Sequence, residues 1–373
     1  MKNPCSLTVE SRGKKAQKSL HTYRIRFDEN GKCPYLRDDQ NCEVHATIGE
    51  QALPDICSQY PREVNVIGST SEVWATLACP EAARVCLFSA TGADCVELED
   101  VSNIRHINNV LEITEQTSDY YAYLDEVRRG IVSVLKKKEL PLRTRLFAIA
   151  YLGHRTASYF HSKATTVDRS RLKADLASVS ELSFLRSLSK ELESNSVPGN
   201  YAVSLITSVL ENGSDSNPIA SESPEQLGSM ESQSLQITTE KWLQTWLEFS
   251  LNRLRWEKDF ADTVEIAFEN YCKVFWMKDW YIHSPNLLVH AVACILRVAV
   301  MRYRLFNSER LTEVVESEGE TAKKRIFETV LLDVVADTTR MIDHDNGFRK
   351  SLHAALAKRK MEDLAHACIL LMI

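Results

Sequence analysis

Four cysteines in the first quarter of the chain are the residues best suited to chemistry. They stand in Gly31-Lys-Cys33-Pro-Tyr-Leu36, Asn41-Cys42-Glu-Val-His45, Asp55-Ile-Cys57-Ser-Gln-Tyr-Pro-Arg62 and Ala78-Cys79-Pro-Glu81. Thiolates are soft ligands, and four gathered by a compact fold can hold a tetrahedral zinc or an iron–sulfur cluster. The intervals are long, with 8, 14 and 21 residues between successive cysteines. That differs from zinc fingers and ribbons, whose ligands come in short knuckles, and from the ferredoxin run of closely spaced cysteines. Spacing alone leaves zinc and iron–sulfur open.

The wider distribution supports a metal. Seven of ten cysteines (Cys5, Cys33, Cys42, Cys57, Cys79, Cys86, Cys95) lie in the first 95 residues, and Cys272, Cys294 and Cys368 are spread over the rest. An even scatter would leave about two or three in that stretch, and in a reducing compartment such clustering reads as metal-binding or catalytic. Cys86 follows Cys79 on the same expected helix and reads as a small buried hydrophobe, as do Cys272, Cys294 and Cys368 in their apolar runs. His45 forms a Cys-x-x-His with Cys42, but without a second short knuckle it does not read as a ligand.

The elements that must position these residues fall into two groups. Residues 22–95 carry the strand signals. Tyr23–Phe27 alternates and is followed by the turn Asp28-Glu-Asn-Gly31. Val64–Ile67 and Val73–Leu77 flank Gly68–Ser71 and predict a hairpin. Pro80-Glu81 after Cys79 suits a helix start, with proline in the first turn and a carboxylate near the positive end of the dipole. From about residue 118 a 3.6-residue period takes over, with Tyr120, Tyr123, Leu124, Val127, Ile131 and Val134 on one face. Further helices are expected at 141–163, 168–195, 199–211, 239–280, 285–306 and 308–342. Segment 213–234, rich in serine with proline and glycine, is expected to be a flexible loop. The expected fold is mostly α: a poorly defined segment 1–21, a small cysteine-rich head 22–95 containing a short β-hairpin, and a multi-helix body 96–373.

Order and intervals together carry a resemblance. Cys-Pro-Tyr-Leu, then Cys, then Cys-x-x-Tyr-Pro-Arg, then Cys-Pro-Glu is similar to the flagellin lysine N-methylase family, over about residues 22–88. Weaker likeness continues at Phe268-Glu-Asn-Tyr-Cys-Lys-Val-Phe-Trp276 and Asp363-Leu-Ala-His366. The resemblance implies S-adenosyl-L-methionine as methyl donor, a [4Fe-4S] cluster on Cys33, Cys42, Cys57 and Cys79, and flagellin lysines as acceptors. Family members usually carry a further group, roughly Cys-x4-Cys-x3-Cys-Cys, ahead of Cys-Pro-Tyr-Leu. Here the first 20 residues offer only Cys5, so either the gene start is cut short or the cluster site lacks some ligands.

Other residues are weighed against this chemistry. Arg62 is a candidate for holding the carboxylate of the donor, since a guanidinium pairs bidentately with carboxylates; its alternative is an ion pair with Glu81 or another acid. Trp242, Trp246, Trp276 and Trp280 read as core. The chain contains no Gly-x-Gly and no Cys-x3-Cys-x2-Cys. The glycine-rich turn of a Rossmann methyltransferase and the radical-enzyme cluster motif are therefore both missing, and methyl transfer rests on the resemblance.

Composition limits the rest. With 44% hydrophobic and 26% charged residues, 12 Gly and a net charge of −6, the chain reads as a globular protein that does not bind nucleic acid, which calls for a basic excess. The most apolar stretch, Leu287–Phe306, is interrupted by His290, Arg297, Arg302 and Arg304. It reads as a buried helix, with no membrane association and a cytoplasmic location. The expected function is donor-dependent N-methylation of lysine on flagellin. The alternative is a non-catalytic metal-binding or adaptor protein that has lost part of its cluster site.

Overall fold

The computed structural model describes residues 25–39, 41–96, 107–194, 201–203, 206–207, 231–312, 319–343 and 363–373, without the side chains of 231–242. Contacts divide the chain into two compact units. One comprises residues 1–60 with 103–106, and the other comprises 61–102 with 107–373. The expected cysteine-rich head is thus parted after Tyr60, because the hairpin and the Cys79 helix bind the helical body. Arg128 reaches from the body to Glu72 of the hairpin, and Lys278 reaches Glu63 at 3.4 Å.

The smaller unit is built from turns and two short helices, α1 (Glu43–Thr47) and α2 (Asp55–Gln59). Asp28 closes the expected turn by accepting the amides of Asn30 and Lys32 at 2.9 and 2.7 Å. The strand expected at 23–27 does not form over 25–27, which have no strand partner; Tyr23 lies outside the described residues. A strand needs a neighbour to take its backbone groups, and alternation alone does not supply one.

The larger unit opens with strands β1 (Arg62–Ile67) and β2 (Thr70–Ala75), the expected hairpin. Ile67 pairs with Thr70, so the turn is only Gly68-Ser69, with Gly68 at φ 56°. That left-handed conformation suits glycine and gives a tighter turn than the Gly68–Ser71 expected. β3 (Asn109–Leu111) runs parallel to β1 and completes a three-stranded sheet in the order β2-β1-β3. It is too short to show periodicity in sequence.

The helices of the body are α3 (Pro80–Leu87), α4 (Asp119–Ala122), α5 (Leu124–Leu135), α6 (Leu142–Thr156), α7 (Arg169–Ser180), α8 (Leu182–Ser194), α9 (Glu231–Lys278), α10 (Leu287–Phe306), α11 (Glu309–Thr312), α12 (Glu320–Asp343) and α13 (Leu364–Leu370). The mostly α expectation holds. Two expected helices divide, 168–195 at Glu181 and 308–342 at Gly319, which is not helical; residues 313–318 lie outside the described ones. Of the expected helix 199–211, residues 201–203 and 206–207 are helical and the rest lies outside the described residues. So does the expected loop 213–234 as far as residue 230; α9 begins at Glu231, so its last four residues are helical.

Helix α10 is the centre of the body. Its stretch from Leu287 to Met301 is buried, including His290 and Arg297, as expected for a core helix. Asn286 caps it by accepting the Val289 amide at 3.0 Å. Helix α6 crosses close to its start, where a Cβ on Gly153 would stand 2.5 Å from the Leu288 nitrogen. Only glycine permits that approach. Among the described residues, no helix is long and apolar enough to cross a membrane.

Candidate metal centre and the helices that support it

Within the smaller unit a tight turn joins the first two cysteines. Leu36 forms an antiparallel bridge with Cys42, the Arg37 amide donates to the Asn41 carbonyl at 2.9 Å, and the Glu43 amide donates to the Tyr35 carbonyl at 2.8 Å. Cys42 thereby stands against Leu36, whose amide in turn donates to the Cys33 carbonyl at 3.1 Å. Cys57 lies on α2 with its thiol exposed. Its pKa is raised, first by partial desolvation and then by Cys33 and Cys42. Three sequence-distant thiols therefore share one electrostatic neighbourhood. All three are free, and Cys33 and Cys42 are half-buried.

Among the described residues, no group of three or more His, Cys, Asp or Glu side chains is already spaced to hold a metal ion. The donor set still has the right chemistry. Thiols that repel one another as thiolates are the groups a cation would stabilise, because metal binding requires their deprotonated form. His45 is exposed on α1. Cys5 lies outside the described residues.

Cys79 belongs to the larger unit, where it is the N-cap residue of α3, followed by Pro80 in the first turn as expected. Both ends of this helix are anchored. The Ala78 carbonyl, next to Cys79, accepts Arg340 of α12 at 3.0 Å. At the far end Asn270 of α9 donates to the carbonyls of Cys86, Leu87 and Ser89 at 3.0, 3.1 and 2.7 Å. Asn270 thus satisfies carbonyls that a helix C-terminus leaves unpaired. Cys86 is buried as expected, and its thiol is pushed up to about 11, chiefly by burial.

Asn270 falls inside Phe268–Trp276, the segment singled out in the sequence, and so do two buried charges. Glu269 meets Arg145 of α6 and Lys273 one turn on, each at 2.6 Å. Burial alone would raise the Glu269 carboxyl; the hydrogen bonds and charges of Lys273 and Arg145 outweigh it and hold the pKa below its usual value. Arg145 also donates to the Leu135 carbonyl. Cys272 is fully buried beside Cys294, which is buried too, while Cys368 is only half-buried. Trp276 and Trp280 are core and Trp246 packs against it, as expected; the Trp242 side chain lies outside the described ones.

Arg62 is exposed at the start of β1. Glu81, its suggested ion-pair partner, is committed instead to Arg84 of its own helix through two bonds of 2.8 and 2.7 Å. A three-residue spacing brings those two side chains together without any tertiary contact.

The body also holds a cavity of about 280 Å³ that the sequence did not reveal. Glu257, Glu265, Arg143, Arg253 and Arg302 stand over an apolar floor that includes Val264, Ile295 and Val298. Arg302 pairs with Glu257 and donates to the Ile373 carbonyl at 3.0 Å; Arg253 donates to the Met372 and Ile373 carbonyls. These groups come from three helices, with Arg143 more than a hundred residues before the others, so no local motif marks them. A mixed-charge mouth over an apolar floor suits a small zwitterion, at the lower end of the size range for ligand pockets.

Comparison with known proteins places this architecture. The chain is 41% identical over 51 residues to the flagellar biosynthetic protein FliU of Salmonella muenchen, covering 14% of this chain and 30% of that protein. The same identity and length relate it to the lysine-N-methylases of Salmonella typhimurium and Salmonella choleraesuis, covering 13% of each. The matched stretches thus span less than a third of each relative. No solved structure matches. A family model described as the FliB lysine N-methylase C-terminal domain matches residues 128–370, from the buried Arg128 through α13, and on that match, which covers more than half of its length, the chain belongs to the FliB lysine N-methylase family.

Proposed function

We propose that the chain is a protein-lysine N-methyltransferase that uses S-adenosyl-L-methionine and acts on flagellin. The observation that carries this reading is the family match over the helical body. The relatives support the acceptor, two being lysine-N-methylases and one a flagellar biosynthetic protein. Cys33, Cys42, Cys57 and Cys79 would be the ligands of a [4Fe-4S] cluster. Such a cluster would supply a redox-active centre. Thiol convergence in the smaller unit supports this assignment.

The protein's own part in polar methyl transfer is to bind the donor and present a neutral amine. Taking a lysine from pKa 10.4 to neutrality at pH 7 costs about 3.4 units, or roughly 4.6 kcal/mol. Partial burial of the acceptor beside a carboxylate or tyrosine base would offset it. The mixed-charge cavity beside Glu257 is the place we assign to the donor, with guanidinium groups for its carboxylate and carboxylates for its ammonium. Arg62 remains a second candidate for that carboxylate. A non-catalytic metal-binding or adaptor role is the alternative, and activity decides between them.

The test is anaerobic reconstitution with iron and sulfide, followed by methyl transfer to flagellin. The wild-type chain should bind iron and sulfide and methylate lysine. Cys33→Ser, Cys42→Ser, Cys57→Ser and Cys79→Ser should each lower bound iron and activity together. Iron binding without methyl transfer would favour the non-catalytic alternative, and iron retained by all four variants would remove these cysteines from the site.

A further inference from the structure

Helix α9 is apolar on two faces. Trp246, Phe249, Trp256 and Phe260 face the core, with Phe249 against Phe306 and Trp256 against Phe327. On the other side Leu243, Leu247, Leu251 and Leu254 are 48, 53, 67 and 66% exposed. At 100° per residue these four fall within an arc of about 80°, opposite the core-facing set. They are also the only leucines among the exposed large hydrophobic side chains of the described residues. A helix that is apolar all round is normally covered all round, and a continuous exposed leucine stripe marks an interaction surface.

We propose that this stripe pairs with the same stripe of a second copy, antiparallel and about a two-fold axis near Leu251. The spacing of the stripe is that of a helix–helix seam: Leu247, Leu251 and Leu254 are separated by four and three residues. In an antiparallel pair centred on Leu251, Leu247 of each copy comes within one residue of Leu254 of the other, and Glu248 within one residue of Arg255. The flanking charges then complement one another. Glu248 and Arg255 are both exposed beside the stripe, so each copy's acid meets the other's guanidinium. A two-fold interface must be self-complementary in this way. Gln244 supports the Glu248 carboxylate with a 3.0 Å hydrogen bond and leaves its charge unneutralised.

The area sets the strength. A half- to two-thirds-exposed leucine shows roughly 100 Å², so eight leucines contribute about 800 Å² and the flanking polar rim brings the total near the lower end of stable interfaces. The dimer is therefore expected to dissociate in the micromolar range.

Sedimentation velocity on the full chain from about 1 to 100 μM tests this, because that range brackets a micromolar constant. The wild type should pass from monomer to dimer. Glu248→Arg and Arg255→Glu should each weaken dimerisation at least tenfold by placing like charges near one another. An equimolar mixture of the two variants, or the double variant E248R/R255E, should restore it. That restoration also shows that the single variants are folded. A wild type that stays monomeric throughout would overturn the proposal and assign the stripe to residues 208–230 or 344–362 of the same chain or to another protein. Dimerisation unmoved by either charge reversal would place the interface elsewhere. None of these outcomes depends on methyl transfer.

Discussion

The buried Glu269 offers the most direct test of how the body is held together. Its carboxylate is the shared partner of two buried cations, Lys273 and Arg145, whose side chains are 2 and 3% exposed. Glu269→Gln keeps the shape and removes the charge. Lys273 then loses its bonded carboxylate. Arg145 keeps the Leu135 carbonyl and a 3.5 Å approach to the more exposed Glu265. Removing one member of a buried ionic group costs about 3–5 kcal/mol, because the remaining charge is left without compensation. Against a total stability of about 5–15 kcal/mol that is a large fraction. With a urea slope of roughly 3 kcal/mol per molar, the unfolding midpoint should fall by about 1 M or more. Replacing all three residues with apolar ones of similar volume should cost far less than Glu269→Gln alone, since no charge is then left unpaired.

The pH dependence follows from the same geometry. A carboxyl whose pKa is lowered on folding contributes stability that is fully present above its unfolded value, near 4.3, and lost as pH falls through the lower folded value. Wild-type unfolding followed by far-ultraviolet circular dichroism should therefore show a loss of stability below about pH 4.3 that Glu269→Gln lacks at this site. A Glu269→Gln variant within about 0.5 kcal/mol of wild type at pH 7 would refute the argument, because surface substitutions commonly stay within that range.

Two further outcomes are expected. Arg128→Met should destabilise the protein by about 3 kcal/mol in urea unfolding, since it strands Glu72 of the hairpin and leaves the Met277 carbonyl without its 2.9 Å donor. With native protein at pH 8, iodoacetamide and mass spectrometry should find Cys57 and Cys95 modified and Cys86, Cys272 and Cys294 protected, as the exposure of the first two and the burial of the other three require.

Sequence patterns read well where one element decides the outcome. The hairpin was legible because β1 and β2 are adjacent and joined by a glycine turn, and the start of α3 because Pro80 and Glu81 mark it. The burial of α10 followed from its apolar run despite four polar interruptions. What escaped depends on distant partners. β3 has three residues and pairs with a strand more than forty positions away. The alternation at Tyr23–Phe27 promised a strand, but no neighbour is present to complete it over 25–27. The cavity draws its charges from α6, α9 and α10, each of which alone looks like an ordinary helix with a polar edge.

The candidate site shows the same division, and it explains how a motif in the body bears on cysteines far away in sequence. Cys33, Cys42 and Cys57 are set by local turns and α2, so their grouping needs little beyond their own segment. Cys79 needs the whole body. Its helix is fixed at one end by Arg340 and at the other by Asn270, and Asn270 is itself held in register by the Glu269–Arg145–Lys273 group on either side of it. A buried polar side chain that satisfies three carbonyls confines a helix end more closely than apolar packing does, because sliding by one residue would leave those carbonyls unpaired. The charged residues of Phe268–Trp276 therefore touch none of the cysteine thiols proposed as ligands. They act as positioning residues for one of them, through the backbone of α3.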